Sequence, residues 1–385
     1  MDITLNKTQQ NIIKEARRFL KKECPPEYVQ AMFRDEVGFT DDLWDKMKAM
    51  DWMALRVPET YGGMGMDQLD MSLLLEEMGR VVVPGPFFST AVLATEVILA
   101  AGTETQKAQY LGDIADAKLK ATLALHEPDG GIDPIHIRML AKPEGDDFII
   151  TGTKLYVPDA HLADIIVVPV VSRSSNNPSD GLSLFIINIP EKGLTITPHP
   201  TMDGTRKLSA ITFDQVRLPK DAVLGDVNQG WKPLMHALQR GQVGLVAESV
   251  GGAQRAMEIA SEYAKVRVQY DRPIGSFQAV KHMCAQMYAD AESARSMLYW
   301  ASWAQDYGDK REAAIAASSA KSYCTEAFTK IASKGIQVLG GTGFTMDNEM
   351  HLYLKRAKAN QAALGTPTFH RERVMQLLIN EGEGI

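Results

Sequence analysis

Apolar residues recur at helical spacing over the first third of the chain, at alternate positions through the middle, and at helical spacing again almost to the end. From Leu5 to about Lys118 the pattern is helical. Ile12, Ile13, Ala16, Phe19 and Leu20 share one face, and Leu43, Met47 and Met50 share another. Residues 57–80 pass through a Gly62-Gly63 loop into an amphipathic helix with Leu69, Leu73 and Leu74 as core candidates. At about Ala121 the period changes to two. FIITGTKLYV, ADIIVVPVV, LSLFIINI, LTITPHP and AITFDQVRL, rich in Val, Ile, Thr and Phe, predict strands. Asn176-Asn177-Pro178 and Ser179-Asp180-Gly181 mark an exposed turn, and the β region ends near Gly225. From Gly230 the helical period returns, with long segments at 235–267, 279–307 and 311–335 suited to a four-helix bundle. Met283, Met287 and Met297 fall at core spacing.

The expected fold class is therefore α+β multidomain: an N-terminal helical domain (1–119), a central antiparallel β domain (120–228) and a C-terminal four-helix bundle (229–385). No internal repeat or low-complexity linker interrupts it. With 385 residues, 45% of them hydrophobic and 23% charged, the chain has ample material for a soluble core. A formal net charge of −7 offers no basic field, which excludes nucleic acid and anionic lipid as expected partners. Residues 81–102 are apolar but broken by Pro84, Pro86, Ser89, Thr90 and Glu96, so they read as core rather than a membrane span. Cys24, Cys284 and Cys324 lack metal-ligand spacing, and the eight histidines form no ligand cluster, so no metal is assigned. Free thiols and an N-terminus without a signal-like apolar stretch point to the cytoplasm.

Two stretches carry the chemistry. Gly340-Gly341, with Gly343 just beyond and Gln337 one turn before, offers bare backbone for close approach of a ligand, although a helix cap and turn would use the same residues. Arg267–Gln278, RVQYDRPIGSFQ, supplies an arginine suited to phosphate oxygens. Together these stretches resemble the acyl-CoA dehydrogenase family of flavoenzymes, and the resemblance spans nearly the whole chain. It implies FAD as cofactor, with Arg267, Gln278, Gln337, Gly340 and Gly341 reaching across a dimer interface to its pyrophosphate and adenosine, and Thr366 also at the cofactor. It further implies an acyl-CoA substrate, a dimer-of-dimers assembly, homo- or heteromeric, and an electron-transfer flavoprotein or similar acceptor.

The reaction class needs a base for the α-proton, donors for the thioester oxygen and a flavin that takes hydride from Cβ. Aligned on the family, both usual glutamate positions are vacant, being Leu364 and Gly241. Leu364 cannot be a base, but its N–H could bind the thioester oxygen. The nearest carboxylate on the helix that carries Gly241 is Glu248, about two turns on; it is the candidate base, or else an ion-pair partner of Arg240 or Arg255. In the β region the flavin-lining element reads His126-Glu127-Pro128-Asp129-Gly130-Gly131-Ile132-Asp133, with His126 and Ile132 in place of hydroxyls. Tyr156 stands for a ring-stacking tryptophan and Pro158 for a threonine. His126 could hydrogen-bond a flavin, or it could be an ordinary histidine beside a strand.

GTPTFHRERV and MDGTRKLSAITFDQVRLP resemble a bacterial subgroup that includes small subunits of pimeloyl-type and steroid-side-chain dehydrogenases. The leading expectation is a dehydrogenase, or a subunit of one, acting on a bulky or dicarboxylic acyl-CoA with its base in an unusual place. The alternatives are a lyase or desulfinase reaction on the same fold, and a non-catalytic subunit that stabilises a homologue.

Overall fold

The structure, a computed structural model, describes residues 4–379. Side chains that satisfy free N–H groups set several helix starts. Asn6 opens α1 (Lys7–Glu23) in a reciprocal capping box with Gln9. After α2 (Pro26–Arg34), Thr40 caps α3 (Asp41–Lys48), and Asp67 with Asp70 boxes the start of α4 (Gln68–Arg80). Leu73 and Leu74 of α4 are fully buried, whereas Leu69 is half-buried. A buried π-helical stretch, Phe88–Ala94, runs into α5 (Thr95–Ala101), and α6 (Glu104–Ala115) follows a Thr103 cap. The apolar window at 81–102 is thus core, and no described helix is long and apolar enough to cross a membrane.

Eight strands follow: β1 (Ala121–Leu123), β2 (Leu140–Glu144), β3 (Asp147–Pro158), β4 (Ile165–Val171), β5 (Leu182–Asn188), β6 (Leu194–His199), β7 (Leu208–Pro219) and β8 (Val223–Leu224). They form one sheet in the order β6-β7-β3-β2-β4-β5-β8, with β1 beside β4. The expected antiparallel sheet is in fact mixed. β1 runs parallel to β4 over three residues, and β2 meets β4 in parallel at Leu140↔Val171. A two-residue alternation reports burial but not direction, so sequence pattern could not reveal this. β4 is apolar at every position and β5 nearly so, as strands covered on both faces must be, whereas β7 alternates. Ile150, Ile166, Phe185, Ile187, Ile211 and Phe213 lie at the centre of this core. Beside it, fully buried Lys154 donates to Glu127 at 2.7 Å, and burial holds the ammonium down to about 8.

The remaining helices are α7 (Trp231–Val266), α8 (Gln278–Tyr307), α9 (Lys310–Leu339), α10 (Met350–Ala362) and α11 (Pro367–Ile379). A short hairpin of β9 (Val268–Gln269) and β10 (Arg272–Pro273) separates α7 from α8. Tyr270 and Asp271 both have positive φ, the requirement of a two-residue primed turn. α8, α10 and α11 all pack on α9. Of the methionine stripe, Met287 is fully buried, while Met283 and Met297 are half-buried. All three thiols are free; Cys24 and Cys324 are buried and Cys284 is intermediate.

The described chain condenses into two compact units. One takes in the chain up to Arg34, the segment Asp67–Val83 and everything from Gln242 onward; the other is Asp35–Met66 with Pro84–Gly241. Within the first unit, α4 and α7 touch backbone to backbone. A Cβ on Gly79 would overlap the Glu248 carbonyl, and one on Gly251 would overlap the Glu76 carbonyl. Gly251→Ala is expected to cost about 3 kcal/mol, because neither backbone can give way. Gly341→Ala is the control: an added Cβ there meets nothing within 4 Å, so the shift should stay below about 0.5 kcal/mol. Urea unfolding midpoints of the two variants check this contrast.

Candidate functional site

In the first unit, α7 ends at Val266 and α8 begins at Gln278, so Arg267 and Gln278 stand at the two ends of the hairpin connection. Arg267 is tied by its backbone alone: its N–H donates to Tyr263 O at 2.9 Å, and its carbonyl accepts from Ile274 N at 2.8 Å. The side chains of Arg267, Gln278 and Gln337 are exposed and have no hydrogen-bond or ion-pair partner among the described residues. Gln337 lies in the last turn of α9, and Gly340 ends that helix at φ +61°. Cβ atoms added at Gly340 or Gly341 would meet open space. Unspent donors and bare backbone are each features that fit a phosphate-bearing ligand, since the groups that would bind oxygen anions are not engaged elsewhere.

Leu364, where the family resemblance expects a glutamate, is buried in the connection between α10 and α11 at φ +52°. No acceptor for its N–H is found among the described residues. Its carbonyl, by contrast, accepts from His370 Nε2 at 2.9 Å and from Gln242 Nε2 at 3.5 Å. Thr366 is exposed and caps α11 through Oγ1, which accepts from Phe369 N at 3.3 Å.

Glu248 lies on α7 with only 5% of its surface exposed. Its carboxylate faces Arg356 of α10, whose Nη1 lies 3.8 Å from Oε2, and not Arg255. Arg255 is surrounded instead by Glu258, Glu262 and Glu349. In the other unit, Arg240 faces Glu96 at 3.7 Å. Arg356 went unnoticed in the sequence because it sits in the mixed run LYLKRAKAN. The signal was present: Leu352, Tyr353, Arg356, Ala357 and Asn360 share one helical face, and all are buried.

In the second unit, His126 is half-buried and its Nδ1 donates to Gly131 O at 3.2 Å. Burial holds its pKa below the ordinary histidine value, so the ring is neutral at pH 7. Tyr156 adopts φ +53°, leaves 55% of its surface exposed, and tilts against His199 at 5.7 Å between ring centres. Its exposed ring is available to pack on a flat ligand. Ile132 is buried, and the Pro158 carbonyl accepts from Thr122 Oγ1 at 2.6 Å.

A cavity of about 440 Å³ in the first unit is bounded by Arg17, Leu20, Arg80, Arg255, Leu352 and Tyr353, among others, and contains none of the expected site residues. Its guanidiniums are already engaged, Arg17 with Glu77 at 2.6 Å and Arg80 with Glu258 at 2.6 Å. Exposed Lys21, in the last turn of α1, also lines it and has no ion-pair partner among the described residues.

Family models match in three consecutive segments: acyl-CoA dehydrogenase N-terminal domain at residues 6–118, middle domain at 122–216 and C-terminal domain at 228–379. The chain is 30% identical over 384 residues to a probable acyl-CoA dehydrogenase, YngJ, of Bacillus subtilis (strain 168), covering 98% of this chain and 100% of that one. It is 31% identical to the caffeyl-CoA reductase-Etf complex subunit CarC of Acetobacterium woodii, covering 96% of each. Among solved structures, butyryl-CoA dehydrogenase from Megasphaera elsdenii superposes with a TM-score of 0.91 at 25% identity, covering 99% of this chain and 100% of that one.

Proposed function

Because the chain belongs to the acyl-CoA dehydrogenase family and is an oxidoreductase of acyl-CoA thioesters, we propose that it binds FAD and introduces a double bond between the α and β carbons of its substrate. The observation that supports this reading best is the set of unspent donors Arg267, Gln278 and Gln337 with the open Gly340-Gly341 backbone. FAD, when bound, accepts the hydride that leaves Cβ. The protein's own part is to take the α-proton and to stabilise the negative charge that then develops on the thioester oxygen. The second task falls to the Leu364 N–H, which has no acceptor among the described residues. The first falls to the Glu248 carboxylate, with Arg356 fixing its orientation from 3.8 Å. The domain layout 1–119, 120–228 and 229–385 is supported by the three matched segments, and the cytoplasm is the proposed location. Anaerobic addition of acyl-CoAs to flavin-loaded protein should bleach the flavin absorbance. Failure with short, long, dicarboxylic and bulky acyl chains alike would leave the non-catalytic subunit as the reading.

A specific observation favours shared catalysis with a homologous chain. The donors aimed outward in the first unit are unspent, while in the second His126 Nδ1 is committed to Gly131 O, Ile132 is buried and Pro158 has no N–H. The chain expressed alone should then hold fewer than one FAD per protomer and gain flavin on mixing with a homologous subunit. A yellow homo-oligomer with one FAD per protomer would end this reading. The name of CarC, a subunit of an Etf complex, supports an electron-transfer flavoprotein as acceptor.

A further inference from the structure

Lys321 of α9 is fully buried, and no carboxylate lies within ion-pair distance of it among the described residues. Burial alone pulls its pKa to about 7. An ammonium in such a place is costly unless its donors are used. Its Nζ donates to Gly365 O at 2.8 Å and to Gln361 O at 3.4 Å. From α11, buried His370 donates through Nε2 to Leu364 O at 2.9 Å. Burial, with the Lys321 charge acting in the same direction, holds His370 down to about 3, so it is a neutral ring whose Nε2 proton points at that carbonyl.

Two side chains from two helices thus take up two carbonyls of the same connection and one at the end of α10, with Gln242 Nε2 also on Leu364 O at the longer distance of 3.5 Å. That connection contains two successive left-handed residues, Leu364 at φ +52° and Gly365 at φ +96°. Glycine adopts this conformation freely, but leucine holds it only where its surroundings require it. The left-handed bend leaves the Leu364 N–H without an acceptor among the described residues while its carbonyl is held by His370.

We propose that Lys321 is a positioning residue: together with His370 it clamps the Leu364–Gly365 turn, and through that turn it fixes the Leu364 amide toward the substrate's thioester oxygen. The inference rests on the assignment of that amide in the proposed function. The two helices contribute differently. Lys321 holds the end of α10 and the glycine, and His370 holds the leucine itself, so removal of either loosens the same amide.

The test uses the flavin-loaded protein and the variant Lys321→Met, which keeps the side chain's length and removes the donors. Its thermal midpoint should be unchanged or higher, since an uncompensated buried charge is gone. Amide exchange of residues 361–366 should accelerate by roughly ten- to a hundredfold, the loss expected for a charged hydrogen bond. Flavin reduction at saturating acyl-CoA should slow by a similar factor, with little change in half-saturating concentration, because the amide acts mainly on charge that develops in the transition state. His370→Phe should reproduce both effects, and His370→Gln, which can still donate, should restore most of the protection. Unchanged exchange at 361–366 in both Lys321→Met and His370→Phe overturns the clamp, as does faster exchange spread evenly over the chain. Faster local exchange with wild-type flavin reduction overturns the positioning role. If the unaltered protein is reduced by no acyl-CoA, the functional reading fails separately, and the exchange arm still decides the clamp.

Discussion

Glu248→Gln is expected to slow flavin reduction by acyl-CoA about a thousandfold, the scale of a lost general base. The amide keeps the shape of the carboxylate and removes its basicity. The same substitution should lower stability by about 3 kcal/mol, because the buried Arg356 guanidinium loses the negative charge opposite it. The two effects separate experimentally. The rate is measured per bound flavin in stopped flow, well below the unfolding temperature, and stability is read from urea midpoints. A variant with lowered stability but wild-type reduction per flavin would make Glu248 a charge partner only and place the base on another chain. Arg356→Met supplies the complementary measurement: it should also destabilise while leaving the carboxylate in place. A base that needs Arg356 only for orientation should then lose far less rate than it does in Glu248→Gln.

Arg267→Ala is expected to weaken FAD binding by roughly ten- to a hundredfold, the worth of a charge-assisted hydrogen bond to phosphate. The protein should leave dialysis largely colourless but folded. Its flavin-free form should unfold within about 0.5 kcal/mol of the unaltered protein, since an exposed side chain without partners contributes little to folding. Full retention of flavin would remove Arg267 from the site and make it an ordinary surface arginine. The comparison is informative because Arg272, five residues on in the same hairpin, already stacks on Phe277 at 4.0 Å. Its loss should act through packing instead.

Helical and alternating periods in the sequence were enough to locate the three longest helices, α7, α8 and α9, and the five long strands, but not α10 or α11. β1 and β8 escaped notice because three or two residues carry no measurable alternation. β2 escaped because only one of its five positions is buried. The family motif brought out Arg267, Gln278, Gln337, Gly340 and Gly341, all of which the structure leaves exposed and open. Arg356 as a partner of Glu248 was not legible, since it comes from 108 residues further along the chain. The clamp on Leu364 was hidden for a similar reason. It exists only once α9 and α11 bring Lys321 and His370 to one turn, and neither residue marks itself in the local sequence.

The reciprocal glycine contacts between α4 and α7 have a dynamic consequence. Gly79 meets the backbone beside Glu248, and Gly251 meets the backbone beside Glu76, so each helix carries a notch that receives the other's main chain. Sliding one helix along the other by a single residue, a rise of about 1.5 Å, would bring a side chain such as Met78 or Arg80 against a carbonyl. Small shears, the commonest way in which packed helices accommodate a ligand, are therefore closed to this pair. The crossing behaves as a dowelled joint: α4 and α7 move together or not at all, and their amides at the notch should be among the last in the chain to exchange with solvent.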